Sequence, residues 1–371
     1  MQDLAGKRLI IVAGKGGVGK TTCSSGIALH LAKQGRKTLL VTVDPAKRLE
    51  DSLGVPVGFK ETPVQPNLAA MMLDPEKVIR EHLSRELPNV KIAEHPMFRY
   101  VTNYLPGLNE LMAIGKLNDL RREGKFDAIV VDTAPTGHAL SFLSAPKAIQ
   151  ELMSEKSLLK WAIRGYGVWQ KVQATARGAT NLFKKKADQE EAPPDIDFER
   201  IFGDIEEEAQ KIRAFLTDPE HSALVLVTLP EKLPVEETAD LHEVVTKDLG
   251  MTVVGIVVNK MQPDALAGLQ PKFDAVAGDK AARKAFVAGA AKATGQSDAL
   301  VEAMVAATEF SEVRRAMNLG HLAELEHKLP GIPLAIVPLF KQDVQGLKRL
   351  AEFRAALFDP GNQRLSVAAK P

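Results

Sequence analysis

The sequence predicts an α/β fold: a doubly wound, mostly parallel β-sheet with an inserted helical subdomain. Short runs rich in Val, Ile and Leu recur between longer helical patterns, which is typical of parallel strands joined by crossover helices. The runs are apolar throughout, as expected for strands that helices cover on both faces. The predicted strands are Leu9–Ala13, Thr38–Val43, Leu68–Leu73, Ala128–Val131, Ala223–Val227, Val253–Val258 and Leu334–Val337.

A glycine-rich loop follows the first predicted strand, and a helical pattern begins directly after it. Residues 14–22 read GKGGVGKTT and meet the phosphate-binding pattern G-x-x-x-x-G-K-[ST]. Glycines let backbone N–H groups approach an anion closely, and the helix N-terminus adds partial positive charge. The loop therefore predicts a P-loop NTPase with an ATP site. The residues predicted to bind the nucleotide are Gly16, Gly17, Val18, Gly19, Lys20, Thr21 and Thr22.

Three side chains of this loop have separate interpretations. Lys20 should reach the terminal phosphates as a catalytic cation, and the Thr21 hydroxyl should ligate Mg²⁺. A glycine-rich turn that binds nothing is the alternative, but strand, loop, lysine and helix rarely coincide by chance. Lys15 is an addition that the pattern does not require, and alone it would be interpreted as a solvent-facing lysine at a loop tip.

Asp44 follows the second predicted strand, at the edge where open α/β sheets bind ligands. A carboxylate at a strand tip can accept a hydrogen bond from the attacking water and orient it in line with the phosphate. An Asp that caps the next helix, with Pro45 in its first turn, explains the same residues equally well. Asp44 is therefore a candidate catalytic residue with a structural alternative.

The strand Ala128–Val131 ends in Asp132, which is the arrangement of a Walker B strand. Its carboxylate is predicted to hold Mg²⁺ through water, and a strand-end cap is the alternative. The following loop, 133–138, carries two hydroxyls, a glycine and the imidazole of His138. This composition suits a segment that becomes ordered by the γ-phosphate, although His138 is equally well explained as a helix-start residue.

The composition narrows the class of function. The chain has 371 residues, and its 48 basic and 47 acidic residues give a net charge of +1, so nucleic acid is not an expected partner. Cys23 is the only cysteine, which excludes intrachain disulfides and cysteine-ligated clusters. We find no signal-peptide pattern and no apolar stretch of membrane-spanning length, so a cytoplasmic location is expected.

Long helical insertions separate the predicted strands. They span about 75–122, 139–217 and 262–330. The charged segment Lys184–Asp195 predicts a mobile loop, and the Gly-Gln-Ser sequence at 295–297 predicts a break between helices. Because no internal repeat is present, residues 1–360 are expected to form a single ATPase domain with one nucleotide site. Residues 361–371 are expected to form a flexible tail.

Together these motifs resemble those of the ArsA/Get ATPases, a family that serves arsenite efflux or the targeting of tail-anchored membrane proteins. Residues 14–22, with Lys15 after the first glycine, resemble the family's deviant Walker A loop. Residues 44–46 and 132–138 resemble its switch I and switch II motifs. Shorter stretches of likeness lie at 229–231, 236–238, 257–260 and 338–340.

The resemblance implies a Mg²⁺-dependent ATPase that closes as a dimer on ATP and couples hydrolysis to a client or a membrane-protein partner. Lys15 would act in trans on the other subunit's phosphates, in a homodimer or in a heterodimer with a paralogue. Asp44 would be the catalytic carboxylate, and Glu231 and Asn259 would contact nucleotide. A turn-forming Asn is the ordinary alternative for Asn259. The wall around the adenine would consist of Pro338, Leu339 and Phe340.

The chain departs from the family pattern at several points. It lacks the Cys-x-x-Cys pair that bridges some family dimers through zinc, and it also lacks the arsenite-binding cysteines. Lys47 and Arg48 stand where the family often places His and a small polar residue.

An apolar segment in the second insertion has two interpretations, a groove for a hydrophobic client helix or the core of a packed helical subdomain. Its apolar residues are Phe142, Leu143, Ile149, Leu152, Met153, Leu158, Leu159, Trp161, Ile163, Val168 and Trp169. Two further functions therefore stay open beside a partner-coupled ATPase. One is a slowly hydrolysing, nucleotide-gated chaperone, and the other is the energising subunit of an anion pump.

Overall fold

A computed structural model shows a large β-sheet with helices packed on both faces. It describes residues 4–44, 48–74, 77–78, 81, 107–134, 136–152 and 198–366. The strands are β1 (Leu9–Gly14), β2 (Thr38–Thr42), β3 (Thr62–Gln65), β4 (Leu68–Met72), β5 (Ala128–Asp132), β6 (Ser222–Thr228), β7 (Val253–Met261), β8 (Pro333–Pro338) and β9 (Gln363–Leu365). Their order in the sheet is β3-β4-β2-β5-β1-β6-β7-β8-β9.

The predicted α/β, doubly wound architecture is confirmed. All seven predicted strands are present, and from β4 to β8 they form one parallel array. The two edge strands, β3 and β9, pair antiparallel with their neighbours. The sequence predicts neither edge strand, because each has only three or four residues and β3 contains Pro63.

Helices cover the sheet on both sides. They are α1 (Lys20–Lys33), α2 (Arg48–Leu53), α3 (Leu108–Arg122), α4 (Thr136–Leu152), α5 (Phe198–Thr217), α6 (Lys232–Glu243), α7 (Gln270–Ala277), α8 (Lys280–Thr294), α9 (Asp298–Lys328) and α10 (Gly346–Leu357). The predicted break at 295–297 lies between α8 and α9. There Gly295 adopts φ +69° after α8, and the Ser297 hydroxyl caps α9 by accepting a hydrogen bond from the Leu300 N–H.

The central strands divide their side chains between two cores. On β1, Leu9 and Ile11 pack in one core with α3, α4 and α5, whereas Ile10 and Val12 pack in the other with α1 and α10. Successive side chains of a strand point to opposite faces, so a strand covered on both sides must be apolar at every position. This packing explains the unbroken apolar runs of the sequence.

The C-terminal region differs from the flexible tail predicted at 361–371. Pro360–Asn362 form a 3₁₀ turn, and β9 then pairs with β8. The buried Ser366 hydroxyl donates a hydrogen bond of 2.6 Å to the Leu329 carbonyl oxygen. The order comes from contacts with distant parts of the chain, which the polar local sequence does not predict. Residues 367–371 lie outside the described residues.

The remaining organisational predictions are tested only in part. Phe142, Leu143 and Ile149 are buried on α4 and belong to the main core, so these three side chains favour the packed-core interpretation. Residues 153–169 and the predicted loop Lys184–Asp195 lie outside the described residues, and the assignment of 1–360 to a single domain stays a prediction. In the described part of the chain, no helix combines the length and the apolar character that a membrane span requires.

Candidate active site

A cleft of about 430 Å³ opens at the carboxyl ends of the central parallel strands. The segments that follow β1, β2, β5 and β8 and the last residues of β7 all reach this cleft, because parallel strands end at the same edge of the sheet. The structure thus brings together residues that lie far apart in sequence. The predicted site residues that line the cleft are Gly17, Gly19, Lys20, Thr21, Thr22, Asp44, Asn259, Pro338, Leu339 and Phe340.

The backbone of the phosphate loop explains two of its glycines. Gly17 and Gly19 have φ values of +82° and +96°, which side-chain-bearing residues rarely adopt. A Cβ atom on Gly19 would also lie 2.3 Å from Nδ2 of Asn259. Between them, the buried Val18 side chain packs in the core and anchors the loop. The part of the loop from Val18 onward is therefore held in place by the core and by Asn259.

Lys20 begins α1 and is almost fully buried beside the loop. Its ammonium donates a hydrogen bond of 2.9 Å to the carbonyl oxygen of Lys15, which is a neutral partner. Burial lowers the pKa of Lys20, and the charge of Asp132 opposes that shift. A positive charge held by a neutral acceptor can bind a phosphate without first breaking an ion pair.

Asp132 lies at the end of β5, next to the phosphate loop. Its Oδ2 accepts hydrogen bonds from the hydroxyls of Thr21 at 2.8 Å and Thr42 at 3.4 Å. Its Oδ1 is buried and has no hydrogen-bond partner in the described part of the chain. Burial raises the pKa of Asp132 to about 6, and the Thr21 hydrogen bond and the Lys20 charge limit the rise.

These oxygen atoms fit a Mg²⁺ ion bound together with nucleotide. Mg²⁺ prefers hard oxygen ligands and is usually held by one or two protein oxygens, waters and substrate phosphates. The described residues contain no group of three His, Cys, Asp or Glu side chains that could hold a metal ion by themselves. The unpartnered Oδ1 of Asp132 and the adjacent Thr21 hydroxyl are therefore the available donors, and a cation there would compensate the buried charge.

Asp44 lies directly after β2, and its side chain is only 13% exposed. Its backbone N–H donates to the Thr42 hydroxyl at 3.1 Å, which fixes the turn. Its carboxylate accepts a hydrogen bond of 2.7 Å from Arg48, at the start of α2, and both residues line the cleft. The sequence does not predict a role for Arg48, although its departure from the family pattern beside switch I was a usable signal.

Asn259 supports the phosphate loop. Its side-chain amide donates to the Val18 carbonyl oxygen at 2.9 Å, and its Oδ1 accepts from the backbone N–H of Lys260 at 2.9 Å. The residue is buried and lines the cleft, so one amide hydrogen is left to face a ligand. Its predicted contact with nucleotide stays a prediction, but its contact with the loop is an observed feature.

Glu231 does not line the cleft. It is the exposed N-cap residue of α6, with an extended backbone of φ −135° and ψ 151°. The turn before it is tied to α9, because the Asn318 side chain donates to the Pro230 carbonyl oxygen at 2.9 Å. This geometry gives no support to the predicted contact between Glu231 and nucleotide.

The end of β8 and the two residues after it form an apolar part of the cleft lining. The Leu339 N–H donates to the Met261 carbonyl oxygen at 2.8 Å, which joins the ends of β8 and β7. Phe340 packs against Phe353 with ring centroids 5.9 Å apart. The apolar surface of Pro338, Leu339 and Phe340 is chemically suited to the flat face of a nucleobase.

Two predicted residues lie at the tip of the loop, outside the cleft lining. Gly16 is exposed there, and Lys15 forms an ion pair with Glu237 on α6. In the switch II segment, the Thr133 hydroxyl donates to the Val12 carbonyl oxygen at 2.8 Å and also lines the cleft. His138 belongs to α4, but its side chain lies outside the described residues.

Comparison with known proteins places this geometry in a family. The family model described as anion-transporting ATPase, ArsA_ATPase, matches residues 7–286. The protein named ATPase ASNA1 homolog 1 from Paramecium tetraurelia is 31% identical over 262 residues, which covers 68% of this chain and 74% of that protein. ATPase GET3C from Arabidopsis thaliana is 29% identical over 283 residues, covering 70% of this chain and 68% of that protein.

A bacterial relative aligns over almost the whole chain. This relative is an Aquifex aeolicus protein with the provisional name arsenical pump-driving ATPase 2. It is 27% identical over 358 residues, and the alignment covers 93% of this chain and 97% of that protein. The family match covers the phosphate loop, Asp44, Asp132 and Asn259. This chain is therefore an ATP hydrolase that belongs to the ArsA family of anion-transporting ATPases.

Proposed function

We propose that the protein is a Mg²⁺-dependent ATPase that works as a nucleotide-switched dimer and couples ATP hydrolysis to a partner or client. The observation that carries this proposal is the convergence of Lys20, Thr21 and Asp44 on one cleft, with Asp132 hydrogen-bonded to Thr21. Phosphoryl transfer depends mainly on positioning and on charge stabilisation, and these residues supply both. A cytoplasmic location and the lack of a nucleic-acid partner, both predicted from the sequence, belong to the proposal.

Within the cleft, the loop backbone and Lys20 bind the phosphates, and Lys20 stabilises negative charge as it spreads in the transition state. Thr21 and Asp132 are proposed to hold Mg²⁺, Asp132 through water. The bound ion would neutralise charge on the phosphate oxygens. The apolar wall after β8 would cover the adenine, and Asn259 would keep the loop in its binding conformation.

Asp44 is proposed to orient the attacking water. Its carboxylate lies in the cleft lining at the tip of β2, the position from which it can accept a hydrogen bond from a water near the terminal phosphate. The ion pair with Arg48 restricts the rotation of the carboxylate, which supports a positioning role.

Lys15 is proposed to act in trans, in a homodimer or in a heterodimer with a paralogue. The support for this is that its side chain does not line the cleft of its own chain, although its backbone carbonyl contacts Lys20. A cation at an exposed loop tip can reach a second nucleotide only across a subunit interface, and charge supplied in this way can accelerate phosphoryl transfer strongly.

A nucleotide-gated chaperone is a second candidate, and the surface of α9 favours it. Large apolar side chains are exposed there, and Phe310, Val313 and Met317 recur at helical spacing with 59% to 65% of each residue exposed. Exposed apolar surface of this kind marks interaction sites. The third candidate, an anion-pump subunit, is supported by the family description and by the name of the Aquifex relative.

One set of measurements tests the proposed ATPase and separates it from the chaperone. The rate of ATP hydrolysis is measured with Mg²⁺ or with EDTA, for the wild type and for Lys20→Ala, while light scattering with a non-hydrolysable ATP analogue reports the mass. The proposal expects turnover that needs both Mg²⁺ and Lys20, and a twofold mass increase with the analogue. Turnover that rises only with a hydrophobic helical peptide would favour the chaperone. A chain that stays monomeric at saturating analogue contradicts the dimer.

A further inference from the structure

We propose that Glu237 is a positioning residue for Lys15. It holds the Lys15 ammonium within its own subunit and thereby sets how readily that ammonium is released to the nucleotide of a partner. This inference rests on the proposed nucleotide-switched dimer. It adds to that function a competition between two acceptors for one cation, the carboxylate of Glu237 and the phosphates of the other subunit.

The first observation is the contact itself. The ammonium of Lys15 forms a hydrogen-bonded ion pair with Oε1 of Glu237, a residue 222 positions away in the sequence. The contact follows from the sheet, because β1 pairs in parallel with β6 and Gly14 lies opposite Val227. The loop after β1 and the helix α6 after β6 therefore start side by side, and Glu237 faces the loop from the second turn of α6.

The second observation is the environment of the carboxylate. Oε2 of Glu237 is buried and has no hydrogen-bond partner in the described part of the chain, so Lys15 is the cation that compensates this acid. With one oxygen lacking a hydrogen-bond partner, the carboxylate depends on this cation for its compensation within the protein. Release of Lys15 therefore requires a stronger anion to compete for it.

The pair is nevertheless able to open. The side chains of Lys15 and Glu237 are 35% and 30% exposed, and ion pairs with this degree of solvent contact contribute little net stability. Gly16 and Gly17 follow Lys15 at the exposed tip, and a Cβ atom on Gly17 would contact nothing within 4 Å. The tip thus has the space to turn, and a triphosphate offers more negative charge than one carboxylate.

The two acceptors exclude each other. The Lys15 side chain lies outside the cleft of its own chain and is directed towards Glu237. In this position its ammonium cannot at the same time reach across an interface to a second nucleotide. Replacing Glu237 by Gln should leave the phosphate cradle of each chain intact and favour the released position of Lys15. The apparent dissociation constant of the ATP-dependent dimer should then fall by about three- to tenfold, the range expected for an exposed pair.

The first test needs neither nucleotide nor dimer. The acetylation rate of Lys15, measured by mass spectrometry at limiting reagent, should rise severalfold in Glu237→Gln because the carboxylate no longer holds the amine. The matched control is Glu236→Gln, the neighbouring glutamate, which should react like the wild type. Equal rates for Lys15 in all three proteins would overturn the proposal, whatever the dimer does.

The second test measures the dimer by sedimentation with a non-hydrolysable ATP analogue. Glu237→Gln should dimerise at a lower concentration than the wild type and Glu236→Gln, with an unchanged affinity of the monomer for the analogue. The effect should vanish in a Lys15→Ala background, which a merely structural role of Glu237 would not predict. If the wild type and Glu237→Gln dimerise at the same protein concentration, the inference is overturned. If the wild type never dimerises, the proposed dimer on which the inference rests is overturned.

Discussion

The hydroxyl of Thr21 donates a 2.8 Å hydrogen bond to Oδ2 of Asp132 and so joins the first turn of α1 to the end of β5. The other carboxylate oxygen, Oδ1, is buried and has no hydrogen-bond partner among the described residues. The parallel register of β1 and β5, with Val12 opposite Asp132, brings the two motifs together. One carboxylate oxygen thus organises the loop, and the other is available to a cation.

This arrangement predicts a pH-dependent stability. Burial raises the pKa of Asp132 to about 6 from an ordinary value of 3.8. At a pH between these two values, Asp132 is therefore mostly protonated in the folded state and mostly ionised in the unfolded state. The free energy of unfolding should therefore fall as the pH rises through this range. Once Asp132 is ionised, at pH 7, the loss is on the order of 3 kcal/mol.

Asp132→Asn removes this loss. In the absence of nucleotide, the variant should be more stable than the wild type at pH 7.5, and the difference should shrink towards pH 4.5. Urea unfolding at the two pH values measures the effect. A difference that does not change with pH would show that ionisation of Asp132 is not its cause.

The phosphate loop allows a paired test of its two left-handed glycines. Gly17→Ala adds backbone strain alone, because its Cβ would contact nothing within 4 Å, and should cost about 1 to 2 kcal/mol of unfolding free energy. Gly19→Ala adds the same strain and a Cβ placed 2.3 Å from Nδ2 of Asn259, so it should cost clearly more. Adding Asn259→Ala should recover part of the second loss but none of the first. Equal costs for the two glycine variants would contradict the close approach of Asn259.

Asp44→Asn should separate binding from hydrolysis. The affinity for ATP should stay close to that of the wild type, because the phosphate loop is unchanged. Turnover should fall by about a hundredfold or more, the usual size of a lost general-base or water-orienting group. Nucleotide titration and steady-state kinetics measure the two quantities, and unchanged turnover would remove Asp44 from its proposed role.

Arg48→Gln should act through Asp44. The Arg48 side chain is 61% exposed and holds the carboxylate at 2.7 Å, so its loss should slow turnover only severalfold by freeing the carboxylate to rotate. The same substitution in an Asp44→Asn background should have no further effect. A full, independent loss in the double variant would instead assign Arg48 a direct contact with the nucleotide.

The only cysteine offers a probe of the nucleotide site. Cys23 lies on α1, fully buried, and burial raises the pKa of its thiol, so the native protein should react very slowly with iodoacetamide. Unfolding in urea should expose it, and ATP analogue at 100 times its dissociation constant should raise the unfolding free energy by about 2.7 kcal/mol. Rapid labelling of the native protein would contradict the packing of α1.

The sequence is sufficient to predict the central sheet and the phosphate loop, since both depend on local patterns. Unbroken apolar runs identify strands that are covered on both faces, and the glycine spacing identifies a loop that needs left-handed backbone. The apolar pattern does not predict the edge strands β3 and β9, because such short segments gain their order from pairing with the neighbouring strand. The nucleotide contact of Glu231 stays a prediction, and the turn before it is held by Asn318, 88 positions away from Pro230, which local sequence does not indicate.

The ion pairs of the site also combine features that the local sequence predicts with features that depend on the fold. Lys15 is conspicuous in the sequence, but its acceptor Glu237 belongs to a helix 222 positions away and becomes a neighbour only through the pairing of β1 with β6. Arg48 stands only four positions from Asp44, yet the ion pair between the two side chains is visible only in the structure. The sequence thus indicates which residues carry charge, whereas the three-dimensional fold decides which charges meet.

The last described strand also protects the sheet from other chains. β9 occupies the hydrogen-bonding positions of Pro333–Ala335, at one margin of an otherwise strongly apolar array. If the chain were cut before residue 359, the open N–H and C=O groups of β8 would become a template on which strands of other molecules could pair. The three residues of β9 thereby cover this margin of the sheet against strand pairing with other molecules.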